Sequence, residues 1–219
     1  WYVINCSDIA NNTNLGIVML FVPISVAASI SEKFSDVREN IVNLKENTTV
    51  EDAINLYSAI NIADAGGMGE QDEYDVASEN ANQELRNNNQ TMYDVLKISA
   101  PWDRLANELT TTLPVCFELG YTEYSKLKKE TTLNMASVLT FLKILSEVPD
   151  TLISRKYGDE KAEEVSTQAK ELLSFKDSDD FINRLNEFDD YLFENKLNPG
   201  TTADLTAASI MITLLDEKF

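Results

Sequence analysis

Four short stretches of this chain set glycine or asparagine beside an acid or a base: NNTNLG (11–16), DAGGMG (64–69), DTLISRK (150–156) and NPGTTAD (198–204). Together they hold what a nucleotide site needs. Glycine turns let backbone amides approach phosphate oxygens, and helix N-termini beginning near Thr13 and Thr201 add positive potential. Arg155 and Lys156 can neutralise phosphate directly. Asp204 fits such a site only on one condition. A carboxylate in the first turn of a phosphate-binding helix repels the ligand unless a divalent cation stands between them, so Asp204 suggests Mg2+ carrying a polyphosphate. Asp64, Asp75 and Asp150 join the same pool of acids, and spacing alone does not say which of them converge. Each stretch also has a plain structural explanation. Asn12 or Thr13 can cap the next helix, GGMG can be a turn, and Arg155 and Lys156 can offset a helix dipole. Thr201 and Asp204 can form a capping box behind the Pro199–Gly200 turn.

Composition narrows the chemistry. The 219 residues include no histidine, which removes Ser-His-Asp and Cys-His triads and the usual imidazole base. Any catalysis therefore runs on carboxylates, lysine, tyrosine or metal. With 37 acidic against 18 basic residues the net charge is −19, which repels nucleic acid and anionic membranes. Cys6 and Cys116 show no metal or disulfide spacing, in keeping with a reducing, cytoplasmic setting.

The elements that must position these residues read as helices throughout, with no run of alternating β-branched residues between hairpin turns. A chain of this length suits one domain, 1–219, an all-α multi-helix bundle. The apolar run 15–30 is short for a membrane span and contains Pro23, so it reads as a buried, kinked core helix. Helices are expected over SDVRENIVNLKEN and over TTVEDAINLYSAINIAD, the latter opened by a Thr48–Glu51 capping box. The glycine-rich, acidic stretch 65–75 breaks the pattern, and the Asn-rich polar segment after it shows little helical period. Pro101 is expected as the first residue of the next helix. TTLNMASVLTFLKILSEV, stopped by Pro149, reads as a strong buried helix, and PDTLISRKYG ends on Gly158. Two acidic amphipathic helices follow, and then the helix that begins in NPGTTAD.

NTNLG, GGMG followed by DEYDV, DTLISRKYG and NPGTTADLTAAS occur in the order seen in the triphosphoribosyl-dephospho-CoA synthase family, which this chain resembles over nearly its whole length. The wording of the first two motifs is closer to the archaeal-type branch. The resemblance implies an all-α enzyme that joins ATP to 3′-dephospho-CoA through a ribosyl–ribose bond and releases adenine, with Mg2+ on the triphosphate. The family begins with a further helical segment bearing a Pro-Gly motif, so the sequence that opens at Trp1 is expected to lack its N-terminal segment. Displacement of adenine passes through an oxocarbenium-like state, so a carboxylate that steadies positive charge or accepts the acceptor's hydroxyl proton suffices. On this basis Asp204 and Asp150 are expected in metal or base roles, with Asp75 and Asp64 as further metal candidates. Arg155, Lys156 and the helix start at Thr201 would hold phosphate. Asn14, Gly66, Gly67, Asn198 and Gly200 would shape the site or donate hydrogen bonds. An N-glycosidic hydrolase and a non-catalytic helical interaction protein are the alternatives.

Overall fold

The computed structural model describes residues 14–63, 74–78 and 80–219. Among these residues there are twelve α-helices, one π-helical segment and no strand, so the protein is all-α. The helices are α1 (Leu15–Ser29), α2 (Phe34–Glu46), α3 (Val50–Ala63), α4 (Ala81–Asn87), α5 (Met92–Ser99), α6 (Arg104–Thr111), α7 (Tyr121–Leu127), α8 (Leu133–Glu147), α9 (Thr151–Tyr157), α10 (Asp159–Leu173), α11 (Phe181–Glu194) and α12 (Gly200–Asp216), with the π-helix Val115–Gly120 between α6 and α7.

Buried apolar side chains gather in three clusters. Leu20 and Ile24 of α1, Val37 and Ile41 of α2, Leu109 of α6 and Leu205 and Ile212 of α12 form one. Leu142 and Leu145 of α8, Val165 and Leu172 of α10 and Phe188 of α11 form a second. A third joins α3, α4 and α5 around Ile54, Leu85 and Val95. Helix α12 links the first two, packing on α1, the π-segment, α7 and α8. Its small residues make that possible. Thr206, Ser209 and Thr213 each donate the side-chain hydroxyl to the carbonyl one turn back, so buried polar atoms are satisfied within the helix. Gly120 lets the π-segment approach, because a Cβ there would lie 2.6 Å from the Ser209 Cβ.

Several expectations shift on contact with the structure. Helix α1 continues through Pro23 but is buried along one face only. Gly16, Leu20, Ile24 and Ala27 point inward, while Val18, Val22, Val26 and Ile30 are 41–59% exposed. A helix apolar on every side cannot reveal from its own sequence which face is covered. The capping box of α3 lies one residue later than expected. Thr49 and Asp52 exchange bonds, whereas the Thr48 hydroxyl donates to the Lys45 carbonyl and accepts from the Tyr93 amide. Pro101 precedes the helix rather than opening it, because the Asp103 carboxylate takes the N–H groups of Leu105 and Ala106 and sets the start at Arg104. The polar segment forms α4 and α5, the latter fixed by a Thr91–Asp94 capping box. After α6 the chain turns at Thr112 and Leu113, both left-handed at φ 71° and 56°. Lys45 and Arg38 of α2 hold this turn by donating to Thr110 and Thr112 oxygens, and the fully buried Glu108 caps the π-helix through the Val115 and Cys116 amides at 3.1 Å. Among the described residues no single helix is long and apolar enough to cross a membrane.

Candidate active site

The N-terminal ends of α1, α6, α9 and α12 meet at one place, and three aspartates tie them together. Asp150 is the local cap of α9, its Oδ1 accepting from the Leu152 and Ile153 amides at 2.9 and 3.1 Å. Its Oδ2 crosses to α12 and accepts from the Thr202 amide and hydroxyl at 2.8 and 2.9 Å. The residue is 1% exposed. Burial pushes its carboxyl up, against the four donors that favour the charged form. With four lone-pair positions occupied, Asp150 has no face left for a reacting group.

Asp204 does not close a capping box with Thr201. No side chain caps α12 from within its own sequence. The Asp204 carboxylate leaves its helix and accepts from the Ile17 amide in the first turn of α1. Asn14 is the N-cap residue there, but its side chain makes no capping bond, so an acid distant in sequence supplies the acceptor. Gly16 makes this approach feasible, since a Cβ at that position would sit 2.6 Å from the Asp204 Cγ and 2.8 Å from the Leu105 Cδ1. Asp204 is half-buried, and its carboxyl is pushed up to about 7, first by burial and then by the charges of Asp150 and Asp103, with the Ile17 N–H pulling the other way.

Asp103 completes the set. Its Oδ1 caps α6, and its Oδ2 accepts from Arg155 Nη1 at 2.8 Å in a largely buried ion pair. The backbone amide of Arg104 donates to Thr151 Oγ1 at 3.2 Å, and Thr151 Oγ1 pairs in turn with Thr201 Oγ1 at 3.2 Å. Arg104 Nη1 reaches Asn107 Oδ1 at 3.1 Å. The Nε atoms of Arg104 and Arg155 are buried with no partner. Two guanidinium groups thus stand among helix N-termini with donor capacity in hand, a setting for an anion.

Of the expected site residues, Asp150, Arg155, Gly200, Thr201 and Asp204 come together here, with Asn14 at the start of α1. Gly200 packs closely, its hypothetical Cβ lying 2.8 Å from Leu152 Cδ2. Asn198 is exposed just before α12, its carbonyl accepting from the Gly200 amide at 2.8 Å. Lys156 is exposed in the last turn of α9. Asp75 lies beside Tyr57 and accepts from the Ala77 amide. Asp64, Gly66 and Gly67 fall outside the described residues. Among the described residues no three acids, cysteines or histidines are placed to hold a metal ion. Asp103, Arg104, Gly16 and Thr202 were missed by sequence reasoning. The PWDR signal for an Asp cap was present, but Pro101 drew the helix start to itself.

A family model for ATP:dephospho-CoA triphosphoribosyl transferase (CitG) matches residues 5–219. The chain belongs to this family. It is a transferase that moves a triphosphoribosyl group from ATP to dephospho-CoA. The fold agrees with that of a crystal structure from Archaeoglobus fulgidus described as a triphosphoribosyl-dephospho-CoA synthase, at a TM-score of 0.75 and 23% identity, covering 92% of this transferase and 82% of that chain. No curated protein sequence matches the transferase.

Proposed function

We propose that the meeting point of α1, α6, α9 and α12 is where the transferase couples its substrates, with adenine as the leaving group. The observation that carries this reading is the Asp204 carboxyl, held to about 7 beside Asp103 and Asp150 and within the same cluster as two arginines with unpaired donors. A carboxylate poised near neutral pH is suited to take a proton in a transition state. Asp204 accepts the proton of the attacking ribose hydroxyl of dephospho-CoA. The new bond forms between that oxygen and C1′ of the ATP ribose, the C1′–N bond to adenine breaks, and adenine leaves with the bonding pair and takes up a proton. Arg104 and Arg155 bind the triphosphate, and the helix ends add positive potential. Asp150 and Asp103 position α9, α12 and Arg155 rather than react.

The donor set suits Mg2+ that arrives on the triphosphate better than a resident ion, because two of the three central aspartates are committed to amides and to Arg155. When bound, the ion neutralises phosphate charge that the acidic chain would otherwise repel. Chromatography of a mixture with ATP, Mg2+ and 3′-dephospho-CoA tests the reading. Adenine together with a triphosphoribosylated product supports it. Adenine with free ribose triphosphate indicates a hydrolase, and release of ADP or phosphate in place of adenine refutes glycosyl transfer.

A further inference from the structure

A groove of about 530 Å3 runs along the outer seam between α1 and α12, lined by Phe21, Ile210, Met211, Leu214 and Leu215, with Lys218 at its far end. It continues the site described above. On α12, Asp204, Met211 and Leu215 follow at helical spacing along one face, and on α1 Phe21 stands one turn beyond Ile17, whose amide Asp204 holds. The groove therefore begins about a turn from the Asp204 carboxylate and leads away from it. From Ala207, also in the lining, to Leu215 it follows α12 for about 12 Å, with Lys218 just past the helix end.

Its chemistry distinguishes the two substrates. ATP consists of adenine, ribose and triphosphate and has no apolar extension. Dephospho-CoA carries, past its adenosine diphosphate, a pantetheine arm that is uncharged, rich in methyl and methylene groups and of a length to lie extended along such a groove. In a chain of net charge −19, a lining with Lys218 as its one charged member accepts a neutral arm without like-charge repulsion. Leu214, 51% exposed, leaves the groove open to solvent, so the amides of the arm can face water while its apolar groups cover Phe21, Met211 and Leu215. We propose that this groove holds the pantetheine arm of the acceptor and sets its affinity. The proposal rests on the transferase reading above.

The test is Leu214→Glu in the full chain, with Leu214→Met as the conservative partner. Leu214 is surface-accessible, so the charged variant keeps the fold, which circular dichroism checks. For Leu214→Glu the KM for dephospho-CoA rises on the order of tenfold. The KM for ATP stays put, and so does the inhibition constant of ADP titrated against dephospho-CoA, because ADP carries the same adenosine diphosphate without the arm. Leu214→Met retains the wild-type KM. An unchanged KM for dephospho-CoA overturns the proposal, as does an equal loss of ADP affinity. A wild-type dimer that Leu214→Glu splits, with KM unaltered, makes the groove an interface between copies and also overturns it. Absence of any product from the wild-type enzyme marks failure of the transferase reading itself, which is a separate outcome.

Discussion

Replacing Asp204 by asparagine separates its structural bond from its charge. The side-chain carbonyl of the variant can still accept from the Ile17 amide, but the carboxyl that burial and two neighbouring acids hold at about 7 is gone. An aspartate in the unfolded chain loses its proton near 3.8, so between roughly pH 4 and 7 the folded wild type binds more protons than the unfolded chain. The contribution of Asp204 to stability thus falls as pH rises through that window and levels off above it. A shift of about three units corresponds to about 4 kcal/mol as an upper bound. Partial exposure of Asp204 to water brings the expected figure to about 2 kcal/mol. Urea unfolding without metal or nucleotide, at a series of pH values, measures it. Wild type and Asp204→Asn should be equally stable near pH 4. At pH 8 the variant should be the more stable by about 2 kcal/mol, which for a chain of this size is a rise in Tm of about 4–8 °C. Adenine release should be lost over the same range, because the amide cannot accept the hydroxyl proton. A variant that is less stable than wild type at pH 8, or a difference that does not vary with pH, would refute the electrostatic reading of the cluster.

Gly16→Ala should drive a methyl group into the Asp204 carboxylate and Leu105; we expect a folded protein weakened by about 1–3 kcal/mol in urea, with adenine release reduced because Asp204 is displaced. Asp150→Ala orphans the ends of both α9 and α12 in a buried setting, and should cost about 2–4 kcal/mol; a loss below about 0.5 kcal/mol would show that water or another donor set replaces it. Arg155→Lys keeps the charge but loses the planar fork beside Asp103, so the KM for ATP should rise on the order of tenfold while the KM for dephospho-CoA is unaltered. Steady-state kinetics with each substrate varied in turn decides that case.

Three aspartates drawn together at helix ends are explained by their partners. Asp150 and Asp103 each satisfy helix amides that would otherwise be orphaned, and Asp103 also orients Arg155. Their negative charge adds to burial, the larger cause, in raising the Asp204 carboxyl. An arrangement that first looks like a metal cage is better described as a set of carboxylates that accept from helix amides.

Much of this was legible along the chain. The 3.6-residue apolar period marks α8, α10 and α11, and Gly158, at φ +91°, ends α9 where glycine after two cations signals a helix end. DTLISRK and NPGTTAD stand out along the chain by composition, and the structure brings Asp150 and Arg155 of the first near Thr202 and Asp204 of the second. Such signals are local: a cap lies two or three residues from its amide and an apolar face repeats every turn. Tertiary structure decided what each side chain does with its remaining valence. Asp150 reads as the cap of α9 from spacing, but its hold on Thr202 depends on how α9 docks against α12. Asp204 reads as a cap of its own helix, yet bonds the first turn of α1, because Gly16 leaves space that no sequence interval announces. Likewise α1 is apolar on all sides, and only its packing against α2 and α12 chose the face that is buried. Proton affinity follows the same logic, since the shift at Asp204 comes from burial and from charges brought near only when four helix ends meet.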